Sequence, residues 1–337
     1  MVRILSETDV AQAMSMSDGV RLVEEAVRQY AEGRATLLPR VSLDLPGNGG
    51  AFRVMSAAMP GIGAFGLKTL TGYPGKRIAG ETYFAILLFS SENGALRAVM
   101  AAGHLTGIRT GAATGVAAKY LARENAKVLG IFGAGVQAKQ QVAALMAVRP
   151  ITQIKIFDLD RIKAEGLAKY ARETFGVEAK VVAGAKEVVA ESDLVVTATT
   201  AREPLFSGDW IEAGTHISGV GANTPAKREL DAATFQRSKI VVDFKDQALE
   251  EGGDLREALK SGSIKADQVY AELGEIVTGR KAGRVSESEI TLFKSVGIAV
   301  EDIAAAAFVF EQAELKGLGT PMAFDGEAAN LQNRRSA

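Results

Sequence analysis

The chain has 337 residues, 47% of them hydrophobic and 23% charged, a composition that excludes global disorder and suits a folded protein of about two domains. Its 39 Lys plus Arg against 40 Asp plus Glu leave no basic excess for a phosphate backbone, so we expect no nucleic-acid partner. It contains no cysteine and only two histidines, which excludes disulfides, thiolate metal sites, Cys nucleophiles and a His-rich metal site.

The N-terminal part predicts a helix followed by a sheet. Apolar residues recur at helical spacing over 17–33, where Ser17 can cap the helix and Gly33 can end it. Over 37–100, short apolar runs separated by Gly, Pro and Asn predict the strands of one sheet, with a loop at 72–81. The first residues, MVRILSETDVAQAM, lack the apolar core of a signal peptide, so we expect a cytoplasmic protein.

Three cations in this part of the chain are candidates for binding an anion. Arg109 is predicted in the first turn of a Gly- and Ala-rich helix at 105–122, where an anionic ligand would offset its unfavourable interaction with the helix dipole. Lys68 lies in the apolar strand FGLKTL, and Arg40 follows Pro39. If the three converge, they form a clamp for a carboxylate. If they do not, each is an ordinary surface charge, and spacing alone cannot decide. The small residues of the helix should also let another backbone approach closely.

From residue 127 onwards, strands and helices alternate. The runs KVLGIF, QIKIFD, VEAKVV, DLVVTATT, THISGVG and KIVVDF predict strands, and helical patterns lie between several of them. This alternation predicts βαβ units and a mostly parallel sheet. Residues 286–316 predict a strand and a long helix, in which Lys294, Glu301 and Asp302 interrupt the apolar run too strongly for a membrane span. The polar tail after Pro321 is either mobile or an arm that grips a partner.

Two segments have glycines at the spacing of a dinucleotide-binding loop. The first, GIGAFG at 61–66, precedes strand-like residues and offers no helix N-terminus to a phosphate, so we reject it. The second, GAGVQA at 133–138, follows a predicted strand and begins a predicted helix. In such a loop the first Gly permits the tight turn, the second admits a pyrophosphate, and the small third residue keeps the helix close to the sheet. The loop residues assigned to the cofactor are Gly133, Gly135, Val136, Gln137 and Ala138.

An acidic residue follows this loop at the expected place. The next predicted strand ends at Asp158, whose carboxylate can accept hydrogen bonds from the ribose hydroxyls and repel a 2′-phosphate. This arrangement favours NAD as the cofactor. Arg161 lies close enough in sequence to weaken the preference, so NADP stays an alternative.

Several stretches together resemble the ornithine cyclodeaminase/mu-crystallin family, over nearly the whole chain. They are MPGIGAFGLKTLTGYPG, LTGIRTGAATGVAAKYLA, VLGIFGAGVQA, ISGVGANTPAKRELD and ITLFKSVGIAVEDIAAA. The family includes alanine dehydrogenase and ketimine or pyrroline-2-carboxylate reductase-like members. The resemblance implies an α/β fold with a Rossmann dinucleotide-binding domain at 123–297. It also implies a mixed α/β substrate and dimerisation domain at 1–122 with 298–337, and a homodimer.

The resemblance further implies roles for individual residues. The cations expected to hold the substrate carboxylate are Arg40, Lys68 and Arg109. The residues expected at the nicotinamide end of the cofactor are Thr199, Val220, Gly221 and Ser295.

Two positions depart from the pattern of the cyclodeaminases in this family. Asn223 stands where they, and also the alanine dehydrogenase of the family, have an Asp, and an amide neither titrates nor acts as a general base. The stretch FRVM at 52–55 lacks the Glu that would hold a second amino group. Both changes argue against a substrate with a second ammonium group, and they favour a less polar amino acid or its imine.

Three functions remain open at this point. The first is an NAD(P)-dependent oxidoreductase at the C–N bond of a 2-amino acid or its imine, with Lys68 and Asn223 as catalytic residues. The second is a cyclodeaminase that uses NAD catalytically and releases ammonia. The third is a non-enzymatic, nucleotide-dependent binding protein for small molecules.

The remaining polar residues of note are expected to be structural. His104 is predicted to be structural or exposed, and His216 is predicted in the core or at the edge of its strand. Glu229 and Asp231 are predicted in the first turn of a helix, where acids are favourable.

Overall fold

A computed structural model describes residues 1–46, 50–72 and 83–324. The predicted loop at 72–81 lies outside these ranges except for Gly72, and the tail lies outside them after residue 324. The elements of the first part of the chain are β1 (Val2–Leu5), α1 (Glu7–Ala13), α2 (Met16–Ala31), β2 (Thr36–Leu37), β3 (Val41–Leu45), β4 (Gly50–Met59), β5 (Ala64–Gly72), β6 (Phe84–Ser90), β7 (Leu96–Ala101) and α3 (Gly103–Leu121).

The rest of the chain begins with alternating strands and helices and ends with a long helix. Its elements up to the last strand of that series are β8 (Val128–Phe132), α4 (Val136–Val148), β9 (Gln153–Phe157), α5 (Arg161–Phe175), β10 (Glu178–Val181), α6 (Ala185–Val189), β11 (Leu194–Thr197), β12 (His216–Gly219), α7 (Ala232–Arg237), β13 (Lys239–Val242), α8 (Lys245–Glu251), α9 (Gly253–Lys260), β14 (Val269–Glu272), α10 (Leu273–Val277) and β15 (Thr291–Lys294). The final elements are α11 (Ala299–Lys316) and β16 (Thr320–Met322).

The first sheet is mixed and carries the N-terminal cations. Its order is β16-β1-β7-β6-β5-β4-β2, with β3 also paired to β4. Pairing is antiparallel except between β1 and β7. In β5 the alternate residues Ala64, Gly66 and Lys68 are buried, because this face of the sheet packs against α11. The strand pattern therefore turns Lys68 into the interior.

The second sheet is entirely parallel, as the alternating pattern predicted. Its order is β10-β9-β8-β11-β12-β15-β13-β14. The chain runs outward from β8 through β9 and β10, then returns to the other side of β8 with β11, so the strand order reverses between β8 and β11. In open parallel sheets a crevice forms at such a reversal, at the carboxyl ends of the strands, and it binds ligands. The α/β fold class is confirmed.

The two sheets are joined by the glycine-rich helix α3. Nearly every residue from Leu105 to Ala118 is buried. A Cβ atom on Gly111 would lie 2.5 Å from the backbone oxygen of Gln140 in α4, so the predicted close approach of a second backbone is confirmed. The predicted domain boundaries at 122/123 and 297/298 fall between the strands of the two sheets and stay a prediction.

Several local predictions are wrong by one turn or less. The N-cap of α2 is Ser15, not Ser17: its hydroxyl accepts from the backbone N–H of Asp18, and the Asp18 carboxylate accepts from the Ser15 N–H. This reciprocal pair satisfies two helix-end donors and fixes the start two residues earlier. The helix α3 begins at Gly103, so Arg109 lies in its second turn and the helix-dipole argument fails.

Other local predictions are confirmed. Gly33 follows α2 with φ +74°. The rejected GIGAFG segment forms a short 3-10 turn and then β5, so no helix begins there. His216 is buried in β12, where Thr291 and Ser218 are its hydrogen-bond partners, and burial lowers its pKa to about 3, so it is a neutral core residue. No helix in the described ranges is both long and apolar enough to span a bilayer.

Candidate active site

Two of the predicted cations, Lys68 and Arg109, share a buried carboxylate of α11. The Nζ atom of Lys68 lies 2.7 Å from Oδ1 of Asp302, and Nε of Arg109 lies 2.9 Å from the same oxygen. Nη1 of Arg109 also donates to Oε2 of Glu301 at 2.8 Å. Lys68, Glu301 and Asp302 are completely buried, and Arg109 is 5% exposed. The acids in the first turn of α11, where negative charge is favourable, are thus paired with one cation from β5 and another from α3.

Arg40 reaches the same place from the loop before β3. Its Nη1 lies 2.9 Å from Oε2 of Glu251, and its Nη2 donates to the backbone oxygen of Val296 at 2.7 Å. The guanidinium of Arg109 lies so close to Gly297 that a Cβ atom there would sit 2.5 Å from Nη1. Arg40 and Arg109 therefore meet at the segment 296–297, and the structure brings all three predicted cations together.

A buried acid, Asp243, holds this segment in place. Its Oδ2 accepts hydrogen bonds from the Ser295 hydroxyl at 3.2 Å, from the Val296 N–H at 2.7 Å and from the Gly297 N–H. Ser295, which we predicted at the nicotinamide end of the cofactor, is 2% exposed and uses its hydroxyl to bind Asp243. It lies at the carboxyl end of β15, next to β12, because its N–H donates to the oxygen of Gly219.

Burial and mutual charge shift the protonation of this cluster. Burial and the nearby charge of Arg109 lower the pKa of Lys68 to about 7, although Asp302 opposes the shift. Burial raises the pKa of Glu301 to about 7 against the opposing charge of Arg109. Burial alone would lower the pKa of Arg109, but the carboxylates of Asp302 and Glu301 outweigh it and raise that pKa. Lys68 can thus gain or lose a proton near neutral pH, while Arg109 stays charged.

The cluster keeps unused hydrogen-bonding capacity. Nε of Arg40, Oε1 of Glu301 and Oδ2 of Asp302 are buried and have no hydrogen-bond partner among the described residues. Buried polar atoms are normally satisfied, so unpartnered ones in a charged cluster indicate that a ligand or water completes the site. Sequence analysis missed the acids Asp243, Glu251, Glu301 and Asp302. The available signal was the pair Glu301–Asp302 in the first turn of an otherwise apolar helix, because acids buried there require cations.

The glycine loop between β8 and α4 has room for a ligand. Gly133 has φ +95°, and a Cβ atom on it would lie 2.6 Å from the oxygen of Ala198, so only glycine fits this turn. Gly135 is the N-cap of α4, and no atom lies within 4 Å of the position of a Cβ there. Ala138 is completely buried, Gln137 is half-buried and Val136 is 78% exposed. The free N–H groups of α4 therefore face an open cradle of the kind that binds phosphate.

Asp158 lies directly beside this loop. Its Oδ2 accepts from the Ala134 N–H at 2.7 Å and its Oδ1 from the Asp160 N–H at 2.8 Å. Two neighbouring apolar side chains, Leu159 and Ile162, are 96% and 85% exposed. Exposed apolar groups next to an acid at a strand end suit an adenosine, with the base on the apolar surface and the ribose at the acid. The side chain of Arg161 is 83% exposed, and its Nε lies 3.8 Å from Oε1 of Glu165.

Glu229 joins two loops that border the crevice. The prediction that it lies in the first turn of a helix is wrong. Glu229 precedes α7, whose N-cap is Asp231, and it is completely buried. Its carboxylate accepts from Thr199 N–H and hydroxyl at 2.6 and 2.7 Å and from Gly221 N–H at 2.7 Å. It thereby ties the loop after β11 to the loop after β12, where Val220 is also buried.

Asn223 lies in the loop after β12, and its Oδ1 accepts a hydrogen bond from Nζ of Lys227 at 3.1 Å. The open glycine cradle, the acid at the strand end and the tied loops at β11 and β12 lie along one edge of the parallel sheet. These residues fit a dinucleotide.

The match to known proteins covers the whole of this architecture. A model of the ornithine cyclodeaminase/mu-crystallin family matches residues 2–317. The chain belongs to the ornithine cyclodeaminase/mu-crystallin family. Among relatives in the family, an alanine dehydrogenase of Archaeoglobus fulgidus is 39% identical over 95% of this chain and 98% of the relative. The family predicted from the quoted stretches is confirmed.

Solved structures of the ornithine cyclodeaminase/mu-crystallin family agree with the fold. The Delta(1)-pyrroline-2-carboxylate reductase of Thermococcus litoralis, solved with NADH and L-proline, is 39% identical, with a TM-score of 0.92 over 95% of this chain and all of that one. An archaeal alanine dehydrogenase dimer with bound NAD is 38% identical, with a TM-score of 0.91 over 96% and 99%. Both relatives bind the nicotinamide cofactor that the glycine loop of this chain predicts.

Proposed function

We propose that this protein is an NAD-dependent oxidoreductase that acts at the C–N bond of a 2-amino acid or its imine. One observation carries the proposal: Arg40 and Arg109 meet at 296–297, at the same sheet edge as the dinucleotide crevice, and Lys68 joins Arg109 through Asp302. A carboxylate bound there places the neighbouring carbon of the substrate close to the nicotinamide end of the crevice. Relatives in the family are alanine dehydrogenase and pyrroline-2-carboxylate reductase, which share this chemistry.

The residues of the cluster would divide the work. Arg40 and Arg109 bind the substrate carboxylate through their guanidinium groups, which Glu251, Glu301 and Asp302 orient. Lys68, with its lowered pKa, donates a proton to the nitrogen of the imine during reduction and accepts one from the amine during oxidation. Asn223 orients this nitrogen by hydrogen bonding. When bound, the cofactor supplies the hydride, and the protein supplies position and charge.

The cofactor would be held along the crevice. The residues proposed to contact it are Gly133, Gly135, Val136, Gln137, Ala138, Asp158, Arg161, Thr199, Val220, Gly221 and Ser295. Asp158 favours NAD, because its carboxylate faces the position of the ribose and disfavours a 2′-phosphate. The exposed Arg161 is the residue through which NADP could also be accepted.

The proposal is tested by mixing the protein with NADH or NADPH and a panel of linear and cyclic 2-imino acids. We expect oxidation of NADH with at least one of them, greatly reduced in Lys68→Met and retained in Lys169→Met, a surface control 69% exposed in its side chain. No oxidation of either cofactor with any imino acid would contradict the proposal. Ammonia release from ornithine without net change in NADH would favour a cyclodeaminase instead.

The assembly, location and domains of the protein are also proposals. A homodimer is supported by the archaeal alanine dehydrogenase dimer in the family. Light scattering after size exclusion should then give twice the 35.4-kDa mass of the chain, and the mass of one chain would contradict it. We further propose a cytoplasmic protein in which residues 123–297 form the Rossmann domain.

A further inference from the structure

One cation beside the active site, Arg53, interacts electrostatically with Glu251, but that carboxylate is already ion-paired to Arg40. Arg53 lies on β4 two residues from Met55, the residue paired with Lys68 on β5. Alternate residues of a strand share a face, so Arg53 projects from the same sheet face as Met55 and Lys68. It is half-buried, and in the part of the chain that the structure describes it makes neither an ion pair nor a hydrogen bond.

A second cation, Lys227, lies in the loop between β12 and α7 and is also without an ion pair among the described residues. Its Nζ donates to Oδ1 of Asn223 at 3.1 Å and to the oxygen of Gly221 at 3.2 Å, and both acceptors are neutral. No carboxylate of the described residues lies within ion-pair distance of it. Lys227 thus lies beside Asn223, the residue proposed to orient the substrate nitrogen, without an ion pair of its own.

The charges of Arg53, Lys227 and Arg40 act on one another. Burial lowers the pKa of Lys227 against the opposing charge of Glu229, and the charges of Arg53 and Arg40 lower it further. Burial, Arg109 and Arg53 likewise lower the pKa of Arg40, although Glu251 opposes them. Like charges that approach one another while partly desolvated are unfavourable, and an anion between them removes that cost.

The ion pairs of the other cations differ from the surroundings of Arg53 and Lys227, and the difference indicates the kind of ligand that these two would bind. Arg40, Lys68 and Arg109 each have an acid of the protein beside them, and they meet at the proposed site of the substrate α-carboxylate. Arg53 and Lys227 have no ion pair of their own, because the acids whose charge they feel, Glu251 and Glu229, are engaged by Arg40 and by the loops after β11 and β12. The pyrophosphate of a dinucleotide cannot neutralise them, because its cradle at Gly135 follows β8, two strands away from β12.

We propose that Arg53 and Lys227 form a second anionic subsite, which binds a carboxylate on the side chain of the substrate. The preferred substrate is then a short dicarboxylic 2-amino acid or its imine. This inference rests on the proposed function, and it replaces the less polar side chain that the sequence favoured. A basic side chain would be repelled by both cations, and an apolar one would leave them unpaired.

The test compares 2-oxo acids that differ in the second carboxylate. Oxaloacetate and 2-oxoglutarate are matched with pyruvate and 2-oxobutyrate, each with ammonium and NADH, and reactions without ammonium are subtracted. For the wild-type protein we expect kcat/KM to be at least about tenfold higher for the better dicarboxylic acid, because a charge-assisted hydrogen bond is lost in the others. Arg53→Gln and Lys227→Gln should each lower this preference about tenfold or more. Lys180→Gln, on the exposed edge strand β10, is the matched control and should not change it.

The outcomes separate the two proposals. If monocarboxylic imino acids are reduced best by the wild type, or if the variants slow all substrates equally, the second subsite is wrong while the proposed function stands. If no imino acid supports NADH oxidation, both are wrong. Inhibition of the wild type by succinate and by propionate gives a check that does not depend on the variants. Stronger inhibition by succinate supports the subsite, and equal inhibition contradicts it.

Discussion

Lys68 and Asp302 form an ion pair in which both side chains are completely buried. Taking two charges out of water is costly, and removing one partner leaves the other uncompensated. Arg109 shares the same carboxylate oxygen, so the three groups act as one unit in which each charge depends on the others. Such an arrangement is a reason to expect a proton-transfer residue at Lys68, because the pKa of an isolated exposed lysine is too high for that role at neutral pH.

The first residue-scale prediction concerns pH. In the reductive direction Lys68 must be protonated to act as donor, so kcat/KM should be highest below its pKa of about 7 and fall as the pH rises through it. In the oxidative direction the same group must be unprotonated, and activity should rise through the same range. Lys68→Met should lower kcat about a hundredfold or more and remove this dependence. Glu301→Gln should keep this pH dependence. If that variant loses the pH dependence instead, Glu301 is the titrating group.

A second prediction concerns the choice of cofactor. Asp158→Asn keeps an oxygen that can accept from the Ala134 N–H but removes the negative charge that repels a 2′-phosphate. We expect KM for NADH to rise about tenfold, with KM for NADPH falling or unchanged. Steady-state measurements with both cofactors check this. An unchanged ratio of the two would show that Asp158 does not face the ribose.

At the scale of elements, the turn between β8 and α4 contains two glycines with different requirements. Gly133 needs its positive φ and its closeness to Ala198, which are properties of the fold. Gly135 has φ −79° and free space around it, which only a ligand would fill. A motif that looks uniform in sequence therefore combines one structural and one functional position.

Substitutions at these glycines should separate the two roles. Gly135→Val should lower the free energy of unfolding by about 1 kcal/mol or less, because the only loss is a favourable N-cap residue and nothing lies near the new Cβ atom, and it should abolish NADH binding. Gly133→Ala should cost about 1–2 kcal/mol or more through the left-handed backbone and the contact with Ala198. Thermal unfolding and fluorescence titration with NADH measure both. Retained NADH binding in Gly135→Val would argue against a pyrophosphate at that position.

At the scale of the whole molecule, α3 holds the two sheets together and carries Arg109 to the site between them. Its glycine surface is what permits α4 to approach, since the Gln140 backbone occupies the place of a side chain at Gly111. The site is thus assembled from both halves of the chain: β5 and α11 supply Lys68 and Asp302, and the parallel sheet supplies the crevice.

A substitution in α3 should therefore affect the whole protein. Gly111→Val should destabilise it by about 1–3 kcal/mol, because the side chain would clash with the backbone of α4. The matched control is Gly166→Ala in α5, where no atom lies within 4 Å of the new methyl group, and stability should rise by about 0.5–1 kcal/mol. Thermal unfolding compares the two variants. Equal stability would mean that α3 and α4 can separate without cost.

The sequence by itself determined the parts of this protein that depend on local order. The alternation of strands and helices, the glycine loop and the acid after the next strand lie close together along the chain, and the periodicity of side chains predicts which face is buried. The cap of α2 was predicted two residues late because Ser15 and Ser17 could both have served, and the start of α3 was missed because its N-cap, Ala102, has no capping side chain.

Only the tertiary structure decided which charges meet. Lys68 and Asp302 are separated by 234 positions, and Arg109 and Glu301 by 192. The sequence placed Lys68 in an apolar strand but left open whether it faces inward, and the acid that meets it depends on how α11 packs across the sheet. The same packing leaves Arg53 and Lys227 without an ion pair, which is the basis of the proposed second subsite and which no local sequence pattern indicates.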